Sequence, residues 1–275
     1  MKQHIKKIKI QRFEQGQLKE LEDTVLVENP LSIFVNGDLI SELTCTGDSI
    51  AELVTGHLFC RGYISSVDDI YSMSITNNIN ATSSNKSDAA SDAVITSART
   101  SVSEAGAPVA NSKTTDAITA IVNVADAETV RQQKKQSKKA KSASIKLNYP
   151  RILEVFKDFQ NMSPLFKETG AVHSAGLLDL DFNFLCFFED MGRHNAVDKV
   201  IGRALIDKLP LSNSILITSS RMPVEIVSKA SIAKIPVILS ISAPTLQSIN
   251  YAKANNLTLV GMFRNNRFNI YNKIS

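Results

Sequence analysis

The chain has 275 residues and a mass of 30.1 kDa, with 43% hydrophobic residues and a mean hydropathy of −0.04. These values are typical of a globular protein with a buried core, and no apolar run approaches the ~20 residues of a membrane helix. Its three cysteines, Cys45, Cys60 and Cys186, have neither disulfide nor metal-ligand spacing, and the basic N-terminus is not followed by an apolar signal segment. We therefore predict a cytoplasmic protein and exclude a membrane protein, a disulfide scaffold and a cysteine-rich zinc module.

The net charge of +4 arises in one segment. Without the seven cations of residues 131–146, a stretch that holds no acid, the rest of the chain has a net charge of −3. The segment has no aromatic side chain for base stacking, so nucleic-acid binding is not predicted. A solvated linker is the preferred interpretation, and attraction of an acidic protein partner stays open. The seven cations are Arg131, Lys134, Lys135, Lys138, Lys139, Lys141 and Lys146.

Residues 1–76 form a first region with β and α signals. Asn36-Gly37 between two apolar runs predicts a β-hairpin, since this dipeptide supplies the positive φ angles of a type I′ turn. Apolar residues at helical spacing from Ile50 to Leu58 then predict a helix, capped by Asp48 or Ser49 and ended by Gly62.

Residues 77–146 form a second region of Ala, Ser, Thr, Asn and Asp without aromatic side chains. Such a segment buries too little apolar surface to offset a backbone entropy cost of about 1–2 kcal/mol per residue. We predict a low-complexity, largely mobile insertion, with residues 117–124 as a short strand.

Residues 147–275 alternate short strands with helices of ten to fifteen residues, which predicts a layered α/β domain. The predicted helices cover residues 151–162, 194–208, 223–234 and 244–255. The predicted strands cover residues 171–178, 184–188, 215–218, 237–241 and 257–263.

Unusual polar residues follow three of these strands, where ligands bind in open α/β sheets. Residues 189–195, 219–221 and 242–245 each lead into a helix start, which favours an anion. The last strand adds Arg264 and Arg267, separated by Asn265-Asn266. Together with Arg193 and Arg221, these arginines predict an edge that binds a phosphate-rich ligand.

Each part also has a structural interpretation. Ser219, Ser242 and Thr245 are suited to ordinary helix capping, and Gly192 to a simple turn. Arg264 and Arg267 are alternatively solvated ends of a hairpin, and Asp190 and Asp198 are candidates to neutralise Arg193. His57 is interpreted as structural and His173 as either structural or a site residue, whereas His194, beside Arg193, is predicted to act by hydrogen bonding rather than by charge.

Several motifs resemble those of the FdhD/NarQ family, the accessory proteins that make formate dehydrogenases active. The most specific is Asp190-Met-Gly-Arg-His-Asn-Ala-Val-Asp-Lys199. The resemblance covers residues 20–76 and 150–275, and further matching stretches are residues 169–175, 220–229, 242–245 and 261–271.

The resemblance implies a cytidine-deaminase-like C-terminal domain with a smaller, β-rich α+β N-terminal part, and a homodimer. It implies that a cysteine desulfurase supplies sulfur as a persulfide, which is delivered to the molybdenum bis(molybdopterin guanine dinucleotide) cofactor for the catalytic subunit of formate dehydrogenase. The implied cofactor-binding residues are Met262, Phe263, Arg264, Asn265, Asn266 and Arg267, together with Gly192, Arg193, His194, Asn195, Ser220 and Arg221. Deamination and zinc binding are not expected, because the motifs of the zinc deaminases are absent from the sequence.

The family's Cys-x-x-Cys motif, which carries sulfur, is missing. Residues 136–145 stand in its place and contain no cysteine, and Ser137 and Ala140 at the corresponding positions cannot form a persulfide. Cys186 lies in a predicted core strand, which leaves Cys60, beside Arg61, as the candidate for a displaced nucleophile. Two hypotheses follow: a sulfur carrier with a relocated thiol, or a non-enzymatic cofactor-binding chaperone that has lost sulfur transfer.

Overall fold

The computed structural model describes residues 4–77, 95–96, 117–130 and 147–274. The predicted mobility of the segment 77–146 and the role of its basic run 131–146 therefore concern residues that lie mostly outside this description. No helix within the described residues is long and apolar enough to cross a membrane.

The N-terminal part begins with a hairpin of two ten-residue strands, β1 (Ile5–Glu14) and β2 (Gln17–Leu26), that forms a sheet of its own. Sequence reasoning missed this hairpin, because charged residues on both faces hide the two-residue alternation of a half-buried strand. The turn at Gln15 and Gly16 has positive φ at both positions.

A five-stranded sheet follows, with strand order β4-β3-β7-β5-β6. The predicted hairpin is confirmed, since Asn36 and Gly37 have φ angles of 50° and 94° between β3 and β4. The predicted strand at 117–124 is present as β7, which lies between β3 and β5. Its alternate residues are buried, as in a strand with one face toward the core. The described residues 117–124 thus belong to the N-terminal sheet. The strands are β3 (Asn29–Val35), β4 (Asp38–Cys45), β5 (Ile70–Asn77), β6 (Ile95–Thr96) and β7 (Ile118–Val124).

Helix α1 (Ile50–Arg61) packs on this sheet and ends at Gly62, whose φ is 84° as predicted for a left-handed C-terminal residue. Ser49 occupies the N-cap position, but it has a left-handed backbone and makes no side-chain capping bond. The side-chain cap predicted at Asp48 or Ser49 is therefore wrong at Ser49, because a left-handed Ncap lacks the usual extended geometry for that bond.

The C-terminal domain is built on a six-stranded sheet with strand order β13-β12-β11-β10-β8-β9. Strands β10, β11 and β12 run parallel, whereas β8 is antiparallel to both β10 and β9. The strands are β8 (His173–Leu178), β9 (Phe184–Asp190), β10 (Ile215–Thr218), β11 (Val237–Ser240), β12 (Thr258–Arg264) and β13 (Arg267–Asn272).

Helices cover both faces of this sheet. Helix α2 packs through Phe156 and Phe159 on one face, whereas α4, α5 and α6 pack on the other. The predicted α/β class is confirmed, and the cytidine-deaminase-like assignment stays a prediction. The helices are α2 (Tyr149–Asn161), α3 (Pro164–Thr169), α4 (Arg193–Ile206), α5 (Val224–Ile232) and α6 (Leu246–Ala254).

The N-terminal part joins the C-terminal domain where α1 crosses α4. Gly56 and Gly202 lie at the crossing, and a Cβ added to Gly56 would stand 1.9 Å from the carbonyl oxygen of Asp198. A Cβ on Gly202 would stand 1.9 Å from the carbonyl oxygen of Glu52. The two backbones therefore touch, and only glycine fits at either position.

Candidate functional site

The sheet topology brings all the polar strand exits to one edge of the C-terminal sheet. Strand β9 is parallel to β10, since both are antiparallel to β8, so the carboxyl ends of β9, β10, β11 and β12 meet there with the amino end of β8. We call this the arginine edge, defined by Arg193 after β9, Arg221 after β10, and Arg264 and Arg267 in the β12–β13 hairpin. Four strand spacings of about 4.8 Å separate β12 from β9, so the edge extends over about 19 Å.

The motif Asp190–Lys199 contributes to two different places. Arg193 belongs to the arginine edge, whereas three other residues of the motif point away from it. Asp190, Asn195 and Lys199 are buried and form what we call the junction cluster with Thr46 and Asp48 of the N-terminal part. The Lys199 Nζ lies 2.8 Å from Asp190 Oδ2 and 3.0 Å from Asp48 Oδ1. Burial alone lowers the pKa of Lys199, but the two carboxylates outweigh it and the pKa is raised.

Hydrogen bonds complete the junction cluster. Thr46 donates to Asp190 Oδ2 at 3.0 Å and accepts from Lys199 Nζ at 2.8 Å. The predicted site residue Asn195 donates its amide to Asp190 Oδ1 at 2.9 Å and to the Thr44 carbonyl at 2.8 Å. The predicted site residue Gly192 donates its N–H to the same carboxylate at 3.0 Å. Asn195 thus holds the two parts of the chain together.

Arg193 and Arg221 lie at the end of the arginine edge opposite the β12–β13 hairpin, after β9 and β10, with His173 at the start of β8 between those two strands. Burial lowers the pKa of His173, and the charges of Arg193 and Arg221 lower it further, so the imidazole is neutral near pH 7. The Nε atom of Arg193 is buried and has no hydrogen-bond partner. An unpartnered guanidinium nitrogen beside a second arginine is suited to an anionic ligand.

The β12–β13 hairpin presents the other two arginines. Asn265 and Asn266 have φ angles of 49° and 57°, which close a tight two-residue turn and place Arg264 directly opposite Arg267. Like charges at facing positions destabilise a hairpin, so this pair also favours an anion. One Arg264 nitrogen donates to the Ile241 carbonyl at 3.1 Å, which orients the guanidinium toward the end of β11.

The remaining predicted site residues differ in exposure. Met262 is 40% exposed with φ of 61°, at an irregularity of β12 where its N–H donates to the Ser242 carbonyl at 2.9 Å. Phe263 is buried and stacks on Phe156 at 4.8 Å between ring centroids, so it belongs to the core. Ser220 is also buried, and its hydroxyl donates to the Arg221 carbonyl at 2.9 Å, which shapes the loop beneath Arg221.

His194 lies away from the arginine edge, at a cavity that Gly192 and Asn195 also line. This cavity lies between β4, α1, α4 and α5 and also contains His57, Cys60, Asp198 and Lys229. Burial lowers the pKa of His194, and the charges of Lys229 and Arg193 lower it further. A neutral imidazole agrees with the predicted hydrogen-bonding role.

A cavity of about 550 Å³, which was not predicted from the sequence, opens at the start of β8 and is lined by Met191 and Ser219, each two residues before an arginine of the edge. Its walls include Phe159, Phe166 and Ile241, and its polar residues include His173 and Ser219. Ser219 Oγ lies 3.4 Å from His173 Nδ1 and accepts from the Ser174 N–H at 2.9 Å. An apolar wall with a few polar groups is typical of a ligand pocket. The one sign of it in the sequence was His173, a polar residue on a predicted strand near Gly170.

Glu189 supports one side of this cavity, because it binds the segment that contributes Ser163 and Phe166 to the wall. Its carboxylate accepts from the Leu165 and Phe166 N–H groups at 3.2 and 3.0 Å, and from the Ser163 hydroxyl. These bonds hold the short helix α3, which was also not predicted, against the end of β9. The acid is thereby occupied by α3 and does not neutralise the arginine edge.

Within the described residues, no carboxylate forms an ion pair with any of the four edge arginines, whereas Lys199, Arg203 and Lys229 are all paired. The prediction that Asp190 or Asp198 neutralises Arg193 is wrong. Asp190 pairs with Lys199 and Asp198 with Lys229, because both acids are buried on the far side of α4.

The three cysteines of the chain are poorly suited to nucleophilic chemistry. Burial raises the pKa of Cys60 well above its ordinary value, and the nearby Asp198 raises it further. Burial likewise raises the pKa of Cys45 and of Cys186 to about 11. The influence of Arg61 on which the Cys60 hypothesis depended is therefore outweighed by burial.

Comparison with known proteins agrees with this architecture. The pattern of the FdhD/NarQ family matches residues 26–275. The chain is 34% identical over 269 residues to a sulfur carrier protein FdhD of Sulfolobus acidocaldarius, covering 97% of this chain and 96% of that one. It is 34% identical over 268 residues to a sulfur carrier protein FdhD of Listeria innocua, covering 96% and 95%.

The fold is also similar to a crystal structure described as that of a formate dehydrogenase accessory protein from Desulfotalea psychrophila. The TM-score is 0.69 at 24% identity, and the similarity covers 98% of this chain and 97% of the other. The chain belongs to the FdhD/NarQ family.

Proposed function

We propose that this protein is an accessory protein of formate dehydrogenase maturation that binds molybdenum bis(molybdopterin guanine dinucleotide) as its client. The observation that carries the proposal is the arginine edge, with its four guanidinium groups unpaired by carboxylates of the described residues. Relatives named as sulfur carrier proteins and a fold neighbour described as a formate dehydrogenase accessory protein support the same role.

The edge fits a client with two pyrophosphate groups. Arg264 and Arg267 form one cationic group and Arg193 and Arg221 form another, spread over an edge of about 19 Å. Guanidinium groups bind phosphate oxygens through two parallel hydrogen bonds, which fixes orientation as well as charge. The cavity of about 550 Å³ at His173 offers an apolar wall for a base or pterin ring.

Binding of GDP tests this proposal, because GDP carries the guanine and pyrophosphate of the client without the metal. We expect saturable binding of GDP in a calorimetric titration, weaker binding of GMP and much weaker binding of guanosine. Binding should also weaken as salt is added, since the contacts are charged. Absence of GDP binding, or equal affinity for GDP and guanosine, would overturn the proposal.

Sulfur delivery divides the proposal into two candidates. In the first, a cysteine desulfurase supplies sulfur to Cys60, and the protein, as a homodimer, transfers it to the client on the way to the catalytic subunit of formate dehydrogenase. In the second, the protein is a cofactor-binding chaperone that moves no sulfur. The raised pKa values of all three cysteines favour the second, because a persulfide forms from a thiolate.

Mass spectrometry separates the two candidates. The purified protein is incubated with a cysteine desulfurase and cysteine, and its peptides are then mapped. The chaperone candidate predicts no added sulfur on any cysteine in a sample that still binds GDP. A persulfide on Cys60 that disappears in Cys60→Ala would contradict it and establish a sulfur carrier with a displaced nucleophile.

A further inference from the structure

A serine, a histidine and an aspartate are aligned where the N-terminal sheet meets α4, away from the arginine edge. Ser41 Oγ lies 2.8 Å from His57 Nε2, and His57 Nδ1 lies 3.5 Å from Asp198 Oδ2. The three residues come from β4, α1 and α4, so the alignment is created by the packing of the two parts of the chain. His57 and Asp198 are buried, whereas Ser41 is partly exposed.

The two contacts of His57 favour one tautomer. The carboxylate of Asp198, 3.5 Å from Nδ1, has only acceptor oxygens, which favours the imidazole proton on Nδ1. In that tautomer the Nε2 lone pair accepts from the Ser41 hydroxyl. This is the tautomer in which a histidine acts as general base toward a serine.

Asp198 is held rigidly for this role. The Nζ atom of Lys229 lies 2.5 Å from both of its carboxylate oxygens, and Asp198 is 1% exposed. Lys229 thus holds the carboxylate in place through both oxygens, while His57 is fixed on the buried face of α1. Held groups of this kind lose little freedom when a reaction occurs, which favours catalysis.

A cavity of about 490 Å³ lies next to this alignment. His57 and Asp198 line it, and so do the apolar side chains of Leu43 and Ile232. Leu43 follows Ser41 by two residues on β4 and so shares its face of the strand. The cavity therefore lies on the Ser41 face of β4 and combines apolar walls with polar and charged ones, at the size of a small ligand site.

We propose that Ser41 is an activated nucleophile that accepts a short acyl group from an activated ester. Ser41 Oγ attacks the carbonyl carbon, its proton passes to His57 Nε2, and the new Oγ–carbon bond forms. The bond between the carbon and the leaving oxygen then breaks, and the leaving alcohol takes the proton from Nε2. No oxidant or metal is needed, and the step is independent of nucleotide binding at the arginine edge.

Acetylation by p-nitrophenyl acetate tests this proposal on the full chain. We expect release of p-nitrophenolate matched by one acetyl group on the peptide that contains Ser41, identified by mass spectrometry. Ser41→Ala should abolish this modification. His57→Gln should slow it at least ~100-fold, because general-base catalysis contributes about 10²–10⁴-fold.

Ser72→Ala is the matched control, since Ser72 lies on a strand of the same sheet and its hydroxyl only accepts a bond from Asn123. This variant should be acetylated at Ser41 at the wild-type rate. If His57→Gln fails to fold, the wild-type protein alone decides by the ratio of acetylation at Ser41 and Ser72. A ratio near one, or no acetylation of Ser41, would overturn the proposal.

Discussion

The junction cluster and the arginine edge contain the same kinds of charged residue, and they differ in whether the charges are paired. In the junction cluster, Lys199 is fully buried, and Asp190, Asp48 and Thr46 surround it within 3.0 Å. Along the arginine edge, Arg193 and Arg221 meet no carboxylate of the described residues, and Arg264 faces another arginine. The ten-residue motif Asp190–Lys199 contributes to both regions, with Lys199 in the junction cluster and Arg193 at the arginine edge.

This difference distinguishes charged residues that stabilise the fold from charged residues that are available to a ligand. A buried charge with a complete set of partners holds the structure together, and removing one partner leaves another uncompensated. A charge without a partner contributes little to folding and is available to a ligand. We therefore expect substitutions in the junction cluster to change stability, and substitutions at the edge to change binding.

The largest expected effect is that of Lys199→Met. The variant removes the only cation that touches Asp190 in the described residues and leaves a buried carboxylate uncompensated. We predict a loss of about 3–5 kcal/mol in the free energy of unfolding, measured by urea denaturation. Lys208→Met is the control, because its exposed pair with Asp68 should contribute less than ~1 kcal/mol. Similar losses in both variants would contradict the structural role of the cluster.

Gly56→Ala should have the next largest effect. Its Cβ would collide with the backbone carbonyl of Asp198, which is fixed by α4, so α1 must move away from α4. We predict a loss of about 3 kcal/mol in unfolding free energy, at the upper end of overpacking effects. Lys253→Ala, on the exposed side of α6, should change it by less than ~0.5 kcal/mol. Wild-type stability of Gly56→Ala would refute the helix contact.

Arg264→Ala tests the other side of the comparison. The side chain is exposed, and its bonds to protein are with backbone carbonyls, so the melting temperature should be unchanged. The affinity for GDP should fall about 10- to 100-fold, since a charge-assisted hydrogen bond contributes about 1.5–3 kcal/mol. Arg12→Ala, at the exposed β1–β2 hairpin, is the matched control and should bind GDP normally. Unchanged affinity in Arg264→Ala would remove this residue from the site.

The smallest expected effect is on the pH dependence of binding. Burial lowers the pKa of His173 below its ordinary value, and the charges of Arg193 and Arg221 lower it further. A phosphate bound to these arginines offsets their field and raises that pKa, so the complex takes up a proton and affinity increases as pH falls. Between pH 8 and pH 6 we predict about a threefold gain in GDP affinity that His173→Asn lacks.

Protonation of GDP itself has the opposite sign, but it is common to the wild type and the variant and cancels in their ratio. The same pH slope in both proteins would show that the phosphates do not lie near His173.

The sequence predicted which strand ends and turns build the candidate site. It did not predict which of their side chains face the arginine edge and which face the junction cluster. Strand exits and the Asn36-Gly37 turn depend on local spacing, and the structure has them where they were predicted. The roles of Asp190 and Asn195 depend instead on Thr44 and Thr46, more than 140 residues away in the chain. Their position beside the edge residues in sequence does not show which way each side chain points. The alignment of Ser41 with His57 and Asp198 is likewise visible only after folding.

The predicted site residues of the β12–β13 hairpin also differ in the direction in which their side chains point. Met262, Arg264 and Arg267 lie at the exposed hairpin, whereas Phe263, which was also predicted as a site residue, is in the core because strand neighbours point to opposite faces. The cavity at His173 escaped prediction, since its walls come from α2, α3 and four strand ends that no single segment reveals.

A crystal structure of the full chain with GDP bound is the most direct test of the central claim. We predict that the two phosphates contact guanidinium groups of the arginine edge, with the partners of Lys199 in the junction cluster unchanged. GDP bound elsewhere, with Arg193, Arg221, Arg264 and Arg267 all free of phosphate, would contradict it.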